Sequence, residues 1–489
     1  MTQEIVTVSA SNEAVSHGAM ASAGRTRAQR GATLALLAFA QLIIALDLNI
    51  VFVALPEIGA GLGFSSQTLQ WVVSVYTVFT GGFLLFGGRA ADLIGQRRMF
   101  IFALWLYALS SLVGGMAWSP EIIIAARAVQ GIGGAFLFPA TLSLVNRLFA
   151  EGPERNRALA VWGGAGASGL TIGSLAGGFL TGMFGWPSVF YVNVLLAGIA
   201  IVAAFLVIPR DPKRHEHRSF DLAGAVTVTA GATLLVFALV QGPEYGWLSP
   251  SILWSASLAV LFLVAFAIIE AKSSDPLMPL RLFGNRSLVT GMTITFLYMA
   301  TFGTLPYFLT VLFQNVQGFS ALETGVAFLV PSIAIAAGTQ LGARLSTRFS
   351  NRSSLIGGMA IGAIGTALMV PATTPDSTYL ALAPGLIVSG IGQGIVWTAM
   401  WIAAASGVHH DQQGVASGMA STTLNVGNAI GLAVLIAVAN QHVGGLTGDA
   451  LRHAVTAGMQ TAFWIATAGV VLSILVALVS QSKTPGDGA

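Results

Sequence analysis

Fourteen apolar stretches, each close to the length that crosses a bilayer, leave this chain little choice of fold. They occupy residues 31–54, 68–86, 99–117, 122–146, 158–180, 188–208, 222–240, 252–270, 287–312, 323–345, 353–372, 379–404, 413–438 and 457–480. A transmembrane helix needs about 20 mostly apolar residues. In hydrocarbon each backbone polar group must find a partner inside the protein, so such segments become helices. The connections between them are short and leave no room for a soluble domain. Charged residues make up only 8% of the chain, against roughly 25% in soluble domains. The formal net charge of +3 offers no footing for nucleic acid. With no Cys, disulfides, thiolate metal sites and Cys nucleophiles are excluded. Residues 1–30 are polar and Ser/Ala-rich and end in Arg25, Arg27 and Arg30. No apolar core with a small-residue cleavage site precedes Gly31, so this segment reads as a cytoplasmic tail.

The basic residues test the count of spans. Arg89, Arg97 and Arg98 follow span 2, and Arg147, Arg155 and Arg157 follow span 4. Arg210, Lys213, Arg214 and Arg218 follow span 6, and Lys272, Arg281 and Arg286 follow span 8. Arg344, Arg348 and Arg352 follow span 10, and Lys483 lies in the C-terminal tail. With the N-terminal tail included, 20 of the 22 Lys and Arg residues share one face. Arg452 falls on the other face and Arg127 within the membrane. A wrong count would scramble this alternation. The positive-inside rule then puts both termini in the cytoplasm.

Two internal echoes divide the chain. Gln130-Gly131-Ile132-Gly133-Gly134 in span 4 resembles Ser389-Gly390-Ile391-Gly392-Gln393 in span 12. Gly88, Asp92 and Arg98 recur at the same spacing as Gly342, Ser346 and Arg352. Both echoes fit a duplicated six-helix unit, as in many transporters with a midplane site. The expected organisation is a tail (1–30), a first six-helix bundle (31–210), a linker with two inserted helices (211–286), a second six-helix bundle (287–480) and a short tail (481–489).

Within this frame the stretch Leu46–Pro56, LDLNIVFVALP, holds a carboxylate, Asp47, in the middle of an apolar run. An ionisable group at that depth costs about 2.5–3.5 kcal/mol on insertion scales. It persists where it is paired, hydrated or used. Arg127 is the other ionisable residue as deep. Counted inward from the outer ends of their spans, at 1.5 Å per residue, both lie roughly 8–11 Å below the outer face. A purely structural carboxylate bonded to neighbouring backbone, and an arginine that merely locks two helices, are the simpler alternatives.

The residues resemble those of a known family. GGRAADLIGQRR (87–98) resembles the loop signature after the second helix of the major facilitator superfamily, and RAVQGIGGAF (127–136) its fourth-helix signature. LDLNIVFVALP resembles the first-helix signature of the 14-helix drug:proton antiporters. Pro276-Leu277-Met278-Pro279-Leu280 with Leu282-Phe283 is similar to the same group. Span 5 departs from it, with Gly173-Ser174 where the group carries Gly-Pro. Ala90 and Gln96 stand where Leu and Arg are usual, and span 13 offers Ser421, Thr422, Thr423, Asn425 and Asn428 where some relatives carry acids.

The resemblance implies an all-α membrane transporter of two six-helix bundles, helices 1–6 and 9–14, with helices 7 and 8 inserted. It implies export of hydrophobic, cationic drugs or toxic compounds across the cytoplasmic (inner) membrane, by alternating access, in exchange for protons. It also makes helices 1 and 4 neighbours, so that Asp47 and Arg127 would meet. A substrate that breaks the pair would then tip Asp47 toward accepting a proton. A gating role is expected for Gly88, Asp92, Gly95, Arg97 and Arg98, with Asp92 held against the positive end of a helix in the other half. Helix 13 near Gly414 is a candidate for that helix. A positive-inside anchor is the alternative, and for Arg97 and Arg98 alone the better reading. Gly166, Gly169, Gly173 and Gly177 line one face of helix 5 at i, i+4, where small residues let backbones pack closely. A sliding contact during alternation would add to that packing.

Candidates for a substrate cavity are Gln41, Asn49, Trp71, Tyr76, Gln130, Tyr298, Tyr307, Gln340, Trp397, Trp401, Asn425 and Asn428. Aromatic faces attract bulky cations, although interface and packing aromatics are the plain alternative for each. His409, His410 and Asp411 lack a fourth metal ligand nearby. Gly131-Ile132-Gly133-Gly134 lies inside a membrane helix with no strand before it, so it is no dinucleotide loop. The expected partners are small substrates and the bilayer, with a monomeric protein and no cofactor beyond the coupling proton. Two other classes stay open. One is a carrier for a specific metabolite or self-made antibiotic, or a proton symporter of the same fold. The other is a membrane-embedded enzyme, disfavoured because no HExxH and no Cys is present.

Overall fold

The computed structural model describes residues 27–64, 66–69, 71–211, 221–273, 276, 278–409, 412–441 and 446–479. The two tails beyond these bounds, with Arg25 and Lys483, lie outside the described residues, as do Lys213, Arg214, Arg218, Leu277, His410 and Asp411. Among the described residues fourteen helices are long and apolar enough to cross a membrane. They are α1 (Arg27–Leu62), α2 (Trp71–Ile94), α3 (Gln96–Gly115), α4 (Pro120–Leu148) and α5 (Pro153–Phe184). Next come α6 (Ser188–Val207), α7 (Leu222–Tyr245), α8 (Pro250–Lys272), α9 (Arg286–Val316) and α10 (Leu322–Arg348). Last are α11 (Asn351–Ala372), α12 (Tyr379–Ala405), α13 (Gln413–Ala439) and α14 (Gly448–Val479). Among the described residues there is no strand. The protein is a multi-pass membrane protein.

Several boundaries differ from the sequence reading, and for local reasons. Pro56 is no terminator, because α1 runs through it to Leu62. Prolines are tolerated in membrane helices where neighbours re-satisfy the freed carbonyls. The depth counted for Asp47 from a helix end near residue 54 therefore no longer holds. The stretch 87–94 of the loop signature is not a loop but the last two turns of α2, buried from Gly87 to Asp92. Only Gly95 breaks the helix, at φ 109°. In α9 the α-helical ladder stops at Thr301 and gives way to a 3-10 turn (Phe302–Thr304), a short α segment (Leu305–Val311) and a π turn (Leu312–Val316).

The helices form two bundles with one packing scheme. In the first, α1 packs on α5, α6 and α4, α2 on α4, and α3 on α4 and α6. In the second, α9 packs on α13, α14 and α12, α10 on α12, and α11 on α12 and α14. Each contact repeats eight helices later, so α7 and α8 are an insertion between two copies. The glycine echo has a physical cause here. A Cβ on Gly131 would meet the Tyr76 carbonyl of α2 at 2.6 Å, and one on Gly133 would press on Tyr107 of α3 at 3.2 Å. In the second copy, Gly390 lies against Pro331 and Ala334 of α10, and Gly392 against Gly358 and Gly362 of α11. Both copies thus use glycine where the central helix of the bundle presses on its two neighbours. The inserted α7 packs on α8, on α2 and on α13. A Cβ on Gly81 or Gly82 of α2 would strike Val236 or Thr233 of α7.

Two reciprocal seams join the bundles, α2 with α13 and α10 with α5. The face that carries the basic connections, called the basic face below, is closed along both.

Candidate functional site

The centre of the first bundle is a polar cluster around Asp47. Arg127 Nη1 donates to Asp47 Oδ2 at 2.6 Å, and both side chains are 0% exposed. The other carboxylate oxygen, Oδ1, accepts from Gln130 Nε2 at 2.9 Å and from Asn193 Nδ2 at 2.6 Å. Arg127 is itself fixed: Nε donates to the Val72 carbonyl at 2.9 Å, Nη1 also reaches Gln130 Oε1 at 2.8 Å, and the guanidinium lies 4.3 Å from the Tyr76 ring centroid. Gln130 Nε2 also reaches Ser111 Oγ at 2.9 Å. Five helices, α1, α2, α3, α4 and α6, therefore converge on one carboxylate. An ion pair withdrawn from water holds only with such supporting hydrogen bonds. The set is incomplete: Arg127 Nη2 and Asn193 Oδ1 are buried with no partner. Each unmet buried polar atom costs about 1–3 kcal/mol.

Helix α5 sets where α1 sits. A Cβ on Gly169 would lie 2.5 Å from Ala45 Cβ, one on Gly173 2.6 Å from the Leu46 carbonyl, and one on Gly177 3.0 Å from the Ile50 carbonyl. One turn earlier, Gly166 faces Gln41. The glycine stripe is thus a joint within the first bundle. It presses α1 home so that Asp47 faces α4 and α6, and it does not lie on the seam between bundles.

At the basic face Asp92, 1% exposed, crosses the seam. Its Oδ1 accepts the Gly414 amide at 3.0 Å and its Oδ2 the Val415 amide at 2.9 Å. These are first-turn amides of α13, which have no partner inside their own helix. Gly88 makes the approach possible, since a Cβ there would lie 2.3 Å from the Gly414 carbonyl. The other seam is tied by Asn156 Nδ2 to Thr347 Oγ1 at 3.1 Å. It continues toward the opposite face, where Thr171 reaches the Phe328 carbonyl at 3.1 Å and Ser332 at 2.6 Å.

Gly95, Arg97 and Arg98 have a different place. Asp211, just past α6, accepts the Arg97 and Arg98 amides at 3.1 Å each and pairs with Arg147 at 3.3 Å. Arg97 Nη2 also donates to the Phe205 carbonyl at 3.0 Å. Gly95 leaves space for this, because a Cβ there would lie 2.4 Å from Asp211 Oδ2. These three residues hold α3 to α6 inside one bundle.

The proposed cavity residues scatter. Gln130 and Tyr76 belong to the Asp47 cluster. Trp71 stacks on Phe237 of the inserted α7 at 6.0 Å. Gln41 is buried with Oε1 lacking a partner, and Asn49 donates to the Ala45 carbonyl at 3.1 Å. Tyr307, 43% exposed, packs edge-on to Phe308. Gln340, Asn425 and Asn428 are half-buried, and Asn425 donates to the Ser421 carbonyl at 3.1 Å. Tyr298, Trp397 and Trp401 do come together, with Trp162 of α5 and Phe138 of α4, in an aromatic cluster across the bundles. Among the described residues no three His, Asp or Glu side chains gather as metal ligands.

Sequence reasoning missed Asn193, Ser111, Asp211, Trp162 and Gly163. Asn193 carried a legible signal as the lone amide in the apolar run VFYVNVLLAGIAIVAAFLV of α6. Asp211 was masked by the basic residues counted around it.

Comparison with known proteins agrees with this architecture. Residues 37–432 match the sequence profile of the Major Facilitator Superfamily. The chain belongs to that superfamily. Its superfamily relatives include the cephamycin export protein CmcT of Amycolatopsis lactamdurans, 37% identical over 470 residues, covering 95% of this chain and 96% of that one. The puromycin resistance protein pur8 of Streptomyces alboniger is 37% identical over 404 residues, 81% of this chain and 79% of that one. The multidrug resistance protein Stp of Mycobacterium tuberculosis is 31% identical over 397 residues, 80% of this chain and 73% of that one. Two solved superfamily structures share the fold. The human organic anion transporter MFSD10 has a TM-score of 0.69 at 18% identity, covering 93% of this chain and 100% of its own. The proton:xylose symporter XylE has a TM-score of 0.67 at 12% identity, covering 92% and 95%. Family and fold are those of transporters.

Proposed function

We propose that this protein exports small, hydrophobic, cationic compounds across the cytoplasmic membrane in exchange for protons. The observation that carries the reading is Asp47: a fully buried carboxylate held by one guanidinium and two amides. An ionisable side chain buried within a membrane-spanning helix is a functional candidate by default. The names of the antibiotic export and resistance relatives support the direction of transport. The basic face is cytoplasmic, and so are both termini, by the positive-inside rule.

The cycle we infer is built on this geometry. The state described here is shut at the cytoplasmic seams. When these part, substrate enters between the bundles. Its charge competes with Arg127 for Asp47, or its bulk moves α1 against α4. After outward release, a proton on Asp47 neutralises the carboxylate and loosens its hold on Arg127. The buried, unmet Asn193 Oδ1 is placed to accept a hydrogen bond from the protonated acid if its amide turns over. One deep acid gives one proton per cycle. Exchange for a monovalent cation is then electroneutral and driven by the pH gradient. The protein acts as a monomer in the bilayer and needs no cofactor beyond the proton.

The test is Asp47→Asn in proteoliposomes with a cationic dye and separately imposed pH gradient and potential. The substitution abolishes pH-driven efflux at normal protein yield. Undiminished efflux removes Asp47 from the mechanism, and a strong response of the parent to potential alone refutes single-acid coupling. A second reading, a dedicated exporter of one antibiotic, is favoured by the near full-length match to the cephamycin exporter. A substrate panel in cells stripped of their own pumps separates the two.

A further inference from the structure

Beside the α5–α10 seam, α5 also meets α12, and there the bundles share an aromatic cluster that neither the proton site nor the Asp92 latch uses. Trp162 comes from α5 of the first bundle, Trp397 and Trp401 from α12 of the second. Trp162 stacks on Trp397 with centroids 6.3 Å apart and planes 21° apart. Trp401 stands edge-on to Trp162 at 5.8 Å and packs against Trp397 at 5.8 Å. Phe138 of α4 packs against both Trp162 and Trp401.

The donors of this cluster are unevenly used. Trp162 Nε1 donates to Thr141 Oγ1 at 3.2 Å. The Nε1 atoms of Trp397 and Trp401 are buried with no acceptor, and Trp401 is only 1% exposed. Buried indole N–H groups ordinarily find a partner. The fit between bundles is also close: a Cβ on Gly163 would lie 2.4 Å from Trp397 Cδ1 and 2.5 Å from Nε1. Trp397 therefore rests on bare α5 backbone, with its N–H edge against the opposite bundle.

We propose that, once the seam parts, these three indoles are the first binding station for flat aromatic substrates that carry a hydrogen-bond acceptor. In the closed state the protein's own rings fill that station. Parting α5 from α12 uncovers the face of Trp162 on one wall and that of Trp397 on the other, with two idle N–H donors beside them. The Trp and Phe side chains carry no formal charge, so the station selects for flat apolar surface and an acceptor atom. Ring faces also tolerate a cation. The proposal rests on the export reading for the parting of the seam, but its test does not need a proton gradient.

Two flat tricyclic fluorophores separate the contributions. Acridone carries a carbonyl acceptor, whereas protonated 9-aminoacridine offers only donors and charge. Binding of each to the purified full-length protein is followed by fluorescence anisotropy. Trp397→Phe and Trp401→Phe keep a ring and delete the N–H. Each weakens acridone about fivefold, the size of one neutral hydrogen bond, and leaves 9-aminoacridine within about twofold. Trp162→Phe, whose N–H is already engaged, weakens both dyes alike. Acridone also slows cross-linking of a cysteine pair placed at Asn156 and Thr347, because it keeps the seam apart. Failure of the parent to bind either dye, acridone binding untouched in both Trp397→Phe and Trp401→Phe, or equal weakening of the two dyes by those two variants overturns the proposal. Should Trp401→Phe not fold, the half-buried Trp397 carries the test alone. Undiminished efflux by Asp47→Asn would remove Asp47 from the proton coupling and leave the dye result standing.

Discussion

Asp92→Ala is the perturbation whose size can be worked from the structure. Asp92 makes two hydrogen bonds across the bundles, to the Gly414 and Val415 amides at 3.0 and 2.9 Å. Each involves an ionised acceptor, is withdrawn from water, and is worth about 1.5–3 kcal/mol. Both vanish when the seam opens and water takes over the α13 amides. Taking the low end for two bonds gives about 3 kcal/mol for closed over open, roughly a hundredfold in the equilibrium. The effect falls on the conformational balance because the bonds join the bundles and not the helices within one. The chain contains no Cys, so a reporter pair can be introduced without background. Asn156→Cys and Thr347→Cys lie on the second seam, where the native side chains meet at 3.1 Å. A bulky maleimide, excluded while these side chains meet, labels either cysteine at a rate set by the open population. With Asp92→Ala that rate rises by up to about two decades if the seams open together, and with Asp92→Asn, which keeps an uncharged acceptor, by up to about one. A parent-like rate in Asp92→Ala would mean that the contact does not govern closure.

Two further substitutions probe the first bundle. Asn193→Leu removes one of the two donors to Asp47 Oδ1 and reduces pH-driven dye efflux about tenfold, the value of one hydrogen bond to a charged group; efflux equal to the parent would show that the amide is dispensable. Gly173→Leu drives a side chain into the Leu46 carbonyl, which a Cβ alone approaches at 2.6 Å. Overpacking of this kind costs about 1–3 kcal/mol and lowers the thermal midpoint, whereas Gly178→Ala, with nothing within 4 Å, leaves it unchanged. Equal midpoints for the two variants would refute the assignment of the stripe to α1 packing.

The fold was legible because membrane insertion writes itself into composition and charge order. Fourteen spans and the asymmetry of the basic residues needed no tertiary information. Asp47 and Arg127 were legible for the same reason, as ionisable groups where hydrocarbon forbids them. Asp92 against Gly414 followed from a carboxylate and an unfilled helix N-terminus. What the sequence did not disclose was partnership among ordinary residues. Asn193 is one amide in an apolar helix, and only the convergence of α6 on α1 gives it meaning. Gly95, Arg97 and Arg98 group with Asp92 in the expected gate, a plain basic anchor being the better reading for the two arginines alone, and the Asp211 carboxylate draws all three to α6. Of the expected cavity aromatics, Trp71 went to the inserted helix because α7 packs on α2, a contact that no periodicity announces.

Helix α9 adds a mechanical asymmetry. Its first half keeps regular α geometry, and beyond Thr301 it passes through a 3-10 turn and then a π turn within about its last four turns. A rod with two changes of pitch bends there at little expense, because no uniform ladder has to be broken. The partner helix α1 in the other copy is one unbroken helix from Arg27 to Leu62. The two repeats therefore share a wiring diagram but not a stiffness. One wall of the transporter is built as a plank, the other as a jointed ruler.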